Sequence, residues 1–452
     1  MTNQPTSTLA APVSEQERIT ILDSLRGIAI LGILLMNIPG FGLPEVRTSD
    51  PSVLSETGVN YKTWFIIDWA FAGTQRAIFS MLFGAGMVLF ITRLEKRTET
   101  GRLDGMTPAI YFFRRQMWLL AFGLFNAFVL LWFWDILYAY AIFGMLLFVF
   151  YRKSPKTLFI LAFVSLLLMT ARDNLDLYRS KKIINKGELI AKIDTSQTKL
   201  TPLQQEDLQA MNGMKEESSK EAKLKKSEQE IRAVGGNYAS LYKAQSDKSV
   251  HVELYYTYFL AWDVTLFMFL GMAFFKTGIL TGKASARIYW LMFIGGLGLG
   301  LLLSYYRQQN VISNHFSQFE FNKNVAFDYY QAARMLRSLG FFGFIMLLYK
   351  SARFKWLFAL FRPVGQMAFT NYLMQSLIGG LFFYGIGLNY FGKLERYELY
   401  IYTGVVWLIE ITWSHIWLRY FRFGPLEWLW RSLTYWKKQP MKRTAYSNDT
   451  MN

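Results

Sequence analysis

The chain has 452 residues, of which 52% are hydrophobic, 17% are aromatic and only 18% are charged. Soluble domains carry about a quarter charged residues, whereas this chain has continuous apolar runs of about 17 to 22 residues, the length of a membrane-crossing helix. The formal charge of +17 does not indicate nucleic-acid binding, because the basic residues cluster beside the ends of apolar runs. The absence of cysteine excludes disulfides and thiolate metal sites. We therefore predict an all-α, polytopic transmembrane helix bundle that binds no nucleic acid.

Ten apolar runs are predicted to cross the membrane. Five precede residue 171, at about Ile28–Leu43, Trp64–Thr92, Met117–Trp134, a run from a tight turn at Asp135 to Arg152, and Thr157–Thr170. Five follow residue 251, at about Leu254–Phe275, Ile288–Tyr305, Leu336–Tyr349, Val364–Tyr384 and Leu399–Trp417. Between them, residues 172–250 are rich in Lys, Glu, Gln, Asp and Ser. This composition predicts a charged helical insertion outside the membrane, which is either simply solvated or a partner-binding arm.

The basic residues set the predicted orientation. When the spans are counted alternately, every densely basic short segment falls on one face, which is the cytoplasmic face by the positive-inside rule. Both termini are therefore predicted to be cytoplasmic. The predicted units are a disordered tail (1–17), an N-terminal half of five spans (18–171), an extracytoplasmic insertion (172–250), a C-terminal half of five spans (251–436) and a basic tail (437–452).

Polar side chains in the first span are candidates for function. Asp23 and Arg26 are three residues apart and share one helical face. They form either an ion pair at the start of the span or part of a ligand site. Asn37 lies in the outer half of the same span, where an asparagine hydrogen-bonds either a neighbouring helix or a substrate.

Arg76 lies deep in the second span and needs a partner, because a charge inside the membrane is costly. Asp68, two turns earlier, and Asp135, at the outer turn before the fourth span, are the candidate partners. Such a pair is either structural or a clamp for an anion or a substrate. Asp263 in the sixth span is another acid in the outer half of the membrane.

The last two spans carry further polar residues. Asn371 and Gln375 are four residues apart on one face of the ninth span, where they line either a cavity or a helix contact. The tenth span contains Glu410 and His415. A single histidine at such a position is either a structural residue or a base.

Glu427 and Arg431 follow the tenth span and are again four residues apart. They form either an ion pair within a surface helix or a contact to a phosphate-bearing ligand at the cytoplasmic face. The sequence contains no metal, nucleotide or catalytic-triad motif. No metal site and no resident cofactor are therefore predicted.

Five blocks of the sequence resemble those of one family. They are LDSLRGIAI at 22–30 leading to Met36 and Asn37, FSMLFGAG at 79–86, WDILYAYA at 134–141, GQMAFTNYLMQS at 365–376 and GPLEW at 424–428. Together they resemble YeiB-like bacterial membrane proteins, and the last two are similar to the start and the end of the domain of unknown function 418. The resemblance covers nearly the whole chain apart from the tail and the insertion. It implies a multi-pass protein of the bacterial cytoplasmic (inner) membrane.

The first block is also distantly similar to the start of integral-membrane acyltransferases that modify surface polysaccharides. This resemblance implies transfer of an acyl group from cytoplasmic acyl-CoA, as a co-substrate, to an extracytoplasmic carbohydrate or lipid-linked acceptor. Those enzymes have a histidine where this chain has Asn37, so Asp135, Asp263 or Glu410 is the expected base. The residues expected to bind acyl donor or substrate are Asp23, Arg26, Asn37, Arg76, Asn371, Gln375, His415, Glu427 and Arg431.

Two other functions fit the same residues. Charges inside a membrane also form translocation paths, so a transporter or exporter of a small or lipid-linked solute is the alternative. A non-catalytic membrane factor is the third hypothesis, and whether the protein is an enzyme stays open at this point. The expected partners are the lipid bilayer and the substrates named above, and a homodimer is left open.

Overall fold

The fold is described from a computed structural model in residues 19–99, 106–194, 196, 199–259 and 261–443. The regular secondary structure of these residues is helical, and they contain no strand, only an isolated bridge between Phe421 and Lys442. The predicted all-α bundle is therefore confirmed. The predicted tail at 1–17 and the final residues of the basic tail lie outside the described residues.

The helices follow the apolar runs in chain order. The first are α1 (Thr20–Gly42), α2 (Glu45–Thr48), α3 (Gly58–Phe71), α4 (Thr74–Glu99), α5 (Pro108–Phe128), α6 (Leu137–Leu147) and α7 (Pro155–Ile190). The charged insertion then forms α8 (Pro202–Glu217), α9 (Lys220–Val234) and α10 (Tyr238–His251), which continues through a π-helical turn (Val252–Tyr256) into α11 (Thr257–Phe259). The charged insertion is thus helical, as predicted.

The remaining helices complete the bundle. They are α12 (Ala261–Lys276), α13 (Ala286–Leu291), α14 (Gly298–Ser313), α15 (Gln318–Asn324), α16 (Tyr330–Lys350), α17 (Lys355–Gln366), α18 (Ala368–Phe383), α19 (Arg396–Tyr420) and α20 (Pro425–Tyr435). Local sequence explains several of their ends. At the start of α7, for example, Ser154 accepts a hydrogen bond from the Thr157 N–H at 3.2 Å and Pro155 occupies the first turn.

Five stretches of the described chain are long and apolar enough to cross a membrane. They are Thr20–Gly42, Gly58–Glu99, Pro155–Ile190, Ala286–Ser313 and Tyr330–Lys350. The pair Tyr238–Phe259 and Ala261–Lys276, bent by 61°, would be a sixth if it is one span. The protein is therefore a polytopic membrane protein, but the predicted count of ten spans is not confirmed.

Several predicted boundaries differ from the observed ones. The third run begins at Pro108 and its helix ends at Phe128, so residues 129–136 form an irregular segment where a tight turn at Asp135 was predicted. The predicted ninth span is divided into α17 and α18 by a turn at Met367. The helix α7 passes through residue 171 without a break and extends into the charged region.

The centre of the bundle is α1, which packs against α4, α17, α18 and α19. Its closest neighbour is α17, and glycines make this approach possible. A Cβ atom on Gly27 would lie 2.1 Å from the Phe361 carbonyl oxygen, and one on Gly365 would lie 1.7 Å from the Asp23 carbonyl oxygen. The first and fourth family-like blocks therefore touch through their backbones.

The charged insertion docks on the membrane bundle. Lys223 on α9 contacts Asp50, between α2 and α3, at 2.7 Å and donates to the Phe316 carbonyl oxygen at 2.9 Å. Its side chain is 16% exposed and that of Asp50 is 7% exposed. The insertion thus covers the end of the bundle where α1 finishes.

Candidate functional site

A cavity of about 270 Å³ opens among α1, α4, α5, α18 and α20, beside the start of α1. Its arginine lining, within the described residues, consists of Arg26, Arg93, Arg97, Arg115 and Arg431, and its acidic lining consists of Asp23 and Glu427. Most of the remaining wall is apolar or aromatic. We call this space the basic cavity. Arginines bind phosphate groups well, while an apolar wall accepts a hydrocarbon chain.

Asp23 and Arg26 form the ion pair that the sequence offered as one of two alternatives, and both line the basic cavity. Arg26 Nη1 lies 2.9 Å from Asp23 Oδ1, and the Arg26 side chain keeps 30% of its surface exposed. Elsewhere in the lining, the Arg115 guanidinium lies 3.5 Å from the ring centroid of Trp430, whose Nε1 donates to the Arg115 carbonyl oxygen at 2.9 Å. Arg431 lies over the ring of Phe423 at 4.6 Å. The arginines are thus held in place by charged and aromatic neighbours.

Glu427 joins two of the family-like blocks at the wall of the basic cavity. Its Oε1 accepts hydrogen bonds from the backbone N–H groups of Phe369 (2.7 Å) and Thr370 (3.0 Å), and its Oε2 accepts one from Thr370 Oγ1 (2.6 Å). These donors lie in the first turn of α18, where helical N–H groups lack partners and negative charge is stabilised. Burial raises the pKa of Glu427, and the hydrogen bonds from Thr370 and Phe369 oppose that rise.

The Glu427 contact is reciprocal. Thr370 Oγ1 also accepts a hydrogen bond from the Leu426 N–H, in the first turn of α20, at 3.1 Å. Each helix therefore supplies an acceptor for the start of the other. The role that this geometry gives Glu427 is to position two helices at the cavity, in addition to lining it.

A second cavity, of about 380 Å³, lies beside the end of α1 and the start of α4. Its aromatic lining includes Trp64, Trp132, Trp134, Tyr256, Tyr330 and Tyr400. Its polar and charged lining includes Asn37, Asp68, Arg76, Asp135 and Arg396. We call this space the aromatic cavity. Aromatic faces beside a few hydrogen-bonding groups suit a polar organic molecule with apolar faces.

Tyr140 on α6 lines both cavities. It is 1% exposed, its hydroxyl lies 2.7 Å from Ser80 Oγ, and its ring stacks on Phe79 with centroids 5.8 Å apart. Along α1, Arg26 lines the basic cavity and Asn37 lines the aromatic one, which at 1.5 Å per residue is a separation of about 16 Å. The cavities therefore extend from opposite ends of the bundle toward one buried tyrosine.

The predicted second span is broken where it passes the aromatic cavity. α3 ends at Phe71 and α4 begins at Thr74, and Gly73 between them has φ +72°. Backbone carbonyls at such a break need partners when no water is near. Arg337 on α16, 2% exposed, donates to the carbonyl oxygens of Ala72 (2.7 Å) and Asp68 (3.2 Å). It also contacts the Trp69 carbonyl oxygen, so one arginine closes the end of α3.

The partner of Arg76 is Asp263, and the prediction that Asp68 or Asp135 would pair with it is wrong. Asp263 on α12 also binds Arg334 on α16, whose Nη1 lies 3.1 Å from Asp263 Oδ2. The side chains of Arg334 and Asp263 are 1% and 3% exposed, whereas that of Arg76 is 34% exposed. Both oxygens of Asp263 contact arginines. Asp263 is therefore a counter-ion in a three-residue cluster, behind the lining of the aromatic cavity.

The two carboxylates among the described lining residues of the aromatic cavity differ in their contacts. Asp135 Oδ1 accepts hydrogen bonds from Asn126 Nδ2 (2.7 Å) and the Tyr372 hydroxyl (3.1 Å), and Oδ2 accepts one from the Tyr138 N–H (2.9 Å). The Asp68 side chain has neither a hydrogen bond nor an ion pair with any described residue. Sequence reasoning had named Asp68 only as a partner for Arg76. Gly73, five positions later, was the local signal that the helix ends beside it.

Asn371 and Gln375 line neither cavity in the described part of the chain. Asn371 Nδ2 donates to Ser414 Oγ at 3.2 Å, and its Oδ1 accepts from Trp413 Nε1 at 2.7 Å. Gln375 Nε2 donates to the Ile30 carbonyl oxygen at 3.2 Å. Of the two sequence-based alternatives for this polar stripe, the geometry matches the helix contact, between α18 and its neighbours α1 and α19.

Glu410 and His415 on α19 also lie away from both cavities as the structure describes them. Glu410 is fully buried, and its Oε2 accepts a hydrogen bond from Gln375 Nε2 at 3.0 Å. His415 Nδ1 lies 2.8 Å from the Ile411 carbonyl oxygen, one turn earlier in its own helix. Neither side chain is placed to contact a ligand in the aromatic cavity.

Comparison with known proteins agrees with the resemblance of the five sequence blocks. The protein described as "Uncharacterized protein YxaH" from Bacillus subtilis (strain 168) is 30% identical over an alignment of 448 residues that covers 96% of this chain and 98% of that protein. The family model "Protein of unknown function (DUF418)" matches residues 274–437. The chain belongs to the YeiB-like DUF418 family. A second DUF418 relative, "Uncharacterized protein YeiB" from Escherichia coli (strain K12), is 29% identical over 92% of this chain and 96% of its own length. No solved structure matches the chain significantly.

Proposed function

We propose that this DUF418 protein is a membrane-bound acyltransferase. An acyl thioester, acyl-CoA, would bind in the basic cavity, and a hydroxyl acceptor would bind in the aromatic cavity. The observation that supports this most directly is that two cavities of different chemical character approach Tyr140 from opposite ends of the bundle. A thioester that enters from the basic cavity and a hydroxyl that enters from the aromatic cavity would meet near Tyr140.

The composition of the basic cavity matches an acyl-CoA. Its arginines would bind the phosphates of the donor, and its apolar wall would hold the acyl chain. The positive-inside rule favours placing this arginine-rich end on the cytoplasmic side, where acyl-CoA is available. The proposal therefore includes an inner-membrane location with both termini in the cytoplasm.

The composition of the aromatic cavity matches an acceptor with hydroxyl groups. A carbohydrate or a lipid-linked carbohydrate presents hydroxyls, which would contact the carboxylates of the cavity, and apolar ring faces, which would contact its tryptophans. The cavity lies on the side of the bundle that the insertion covers, which on this proposal is extracytoplasmic. Transfer from a thioester to a hydroxyl uses the two substrates alone, so no resident cofactor or metal is invoked.

The test is direct binding of acetyl-CoA and a longer acyl-CoA to the protein in detergent, measured by calorimetry with free CoA as comparison. A charge-assisted hydrogen bond contributes about 1.5 to 3 kcal/mol, so Arg26→Gln and Arg431→Gln should each weaken binding about 10- to 100-fold. The matched control is Arg287→Gln, which removes the same charge from an exposed site outside the cavity. Equal affinity in Arg26→Gln, Arg431→Gln and the control would refute the donor site.

Transport of a small or lipid-linked solute is the second candidate, and one observation favours it. The buried Arg76–Asp263–Arg334 cluster stands beside a broken helix, and such features occur together at transporter binding sites. Flux into proteoliposomes that depends on Arg76, in a protein that binds no acyl-CoA, would favour transport over acyl transfer.

A further inference from the structure

We propose that Asp68 is the catalytic base of the acyl transfer, accepting the proton of the acceptor hydroxyl in the aromatic cavity. This inference rests on the proposed function and names a residue that does the chemistry there. It replaces the expectation that Asp135, Asp263 or Glu410 is the base.

The four acids differ in whether their carboxylate oxygens are already bound by the protein and in whether they line a cavity. Both oxygens of Asp263 are bound to arginines, and both oxygens of Asp135 accept hydrogen bonds from protein groups. Glu410 lies outside the described lining of either cavity. Asp68 lines the aromatic cavity, and its carboxylate makes no hydrogen bond or ion pair with any described residue. A general base must be within hydrogen-bonding reach of the proton it takes, and Asp68 has its oxygens available for a ligand.

The surroundings of Asp68 hold it in position. It lies in the last turn of α3, and its carbonyl oxygen is bound by Arg337, which also binds the carbonyl oxygen of Ala72 at the end of this helix. The backbone that carries the carboxylate is therefore fixed at the break between α3 and α4. A fixed backbone limits how far the carboxylate can move from the cavity in the absence of substrate.

Arg76 and Asn37 line the same cavity as Asp68. The Arg76 side chain lines the cavity and is 34% exposed while it contacts Asp263. Asn37 is half-buried and its side chain has no hydrogen bond to a described residue. Both groups donate hydrogen bonds, and donors aimed at a developing oxyanion stabilise acyl-transfer transition states.

The reaction step balances with the two substrates alone. The acceptor oxygen forms a bond to the thioester carbonyl carbon while its proton passes to an Asp68 oxygen. The carbon–sulfur bond then breaks, and the thiolate of CoA leaves toward the basic cavity and takes a proton from water. Asp68 returns its proton to water in the aromatic cavity. The products are an ester of the acceptor and free CoA.

The absence of cysteine permits a clean assay. Because the chain has no thiol, a thiol reagent such as Ellman's reagent reports only the CoA that is released. The purified full-length protein, in a zwitterionic detergent, is given acetyl-CoA with water alone or with octyl glucoside as the hydroxyl acceptor. Asp68→Asn, Asp68→Glu and wild type are compared, with Asp176→Asn as the matched control because that acid is exposed on α7.

We expect Asp68→Asn to release CoA at least about 100-fold more slowly than wild type, the usual contribution of a general base. It should bind acetyl-CoA with unchanged affinity, which shows that the protein is folded, and Asp68→Glu should recover part of the rate. If Asp68→Asn and Asp176→Asn both turn over like wild type, Asp68 is not the base. A different result would refute the acyltransferase proposal itself: the wild type would neither bind acetyl-CoA nor release CoA. The inference about Asp68 would then be refuted as well.

Discussion

The cluster of Arg76, Asp263 and Arg334 makes a sharp prediction about stability. Replacing Asp263 with asparagine leaves Arg334, whose side chain is 1% exposed, without its counter-charge. Removing one partner of a buried ion pair typically costs about 3 to 5 kcal/mol, because the remaining charge can be neither solvated nor paired. We expect Asp263→Asn to lower the free energy of unfolding by that amount.

The same geometry predicts that removing Arg76 lowers the free energy of unfolding by less than removing Asp263 does. The Arg76 side chain is 34% exposed and lines the aromatic cavity, so Arg76→Gln removes a partly hydrated charge and leaves Asp263 bound to Arg334. Its cost should be about 1 kcal/mol, as for exposed pairs. The double variant Asp263→Leu with Arg334→Met removes both buried charges, and should recover most of the loss seen in Asp263→Asn.

Equilibrium unfolding in mixed micelles, followed by tryptophan fluorescence, measures these differences. Asp176→Asn is the control, because the Asp176 side chain is 45% exposed and its loss should change the free energy of unfolding by less than about 0.5 kcal/mol. The reasoning is refuted if Asp263→Asn costs no more than Arg76→Gln. It is also refuted if the double variant is less stable than Asp263→Asn.

Two further predictions concern the contacts between family-like blocks. Glu427→Ala should lower the free energy of unfolding by about 2 to 4 kcal/mol, because it leaves the N–H groups of Phe369 and Thr370 without an acceptor. Glu427→Gln keeps one acceptor oxygen and should lower it by less. Equal losses in the two variants would contradict the capping role. Gly365→Ala should lower the thermal unfolding temperature markedly, because its Cβ would lie 1.7 Å from the Asp23 carbonyl oxygen, whereas Gly404→Ala meets no atom within 4 Å. Equal unfolding temperatures for the two glycine variants would show that α1 and α17 can separate without cost.

Interactions within one helix were predictable, and those between helices were not. The spacing of three residues between Asp23 and Arg26 made an ion pair one of two alternatives, and the structure shows that pair. Arg76 and Asp263 are 187 residues apart in the chain, and nothing in the local sequence of either indicates the other. The wrong choice of Asp68 or Asp135 came from preferring acids that are near in sequence. Arg334, the third member of the cluster, was not identified at all for the same reason.

Helix breaks were harder to predict than helices. The run Trp64–Thr92 is predicted from the sequence as one element, yet α3 ends at Phe71, where Arg337, far along the chain, binds the carbonyl oxygens of Asp68 and Ala72. The turn between α17 and α18 similarly depends on Glu427, which provides acceptors for the start of α18. A break inside a membrane is stable only when another helix supplies hydrogen-bonding partners. It therefore depends on tertiary contacts.

The amino-acid sequence by itself determined that this is an all-helical membrane protein of the DUF418 family with a charged helical insertion. Those properties follow from the length and continuity of apolar runs, whose transfer into lipid depends on local composition alone. The tertiary structure decided which acids are already bound, where the cavities lie, and that both reach Tyr140. These depend on distances between side chains far apart in sequence, which are defined only once the helices have packed.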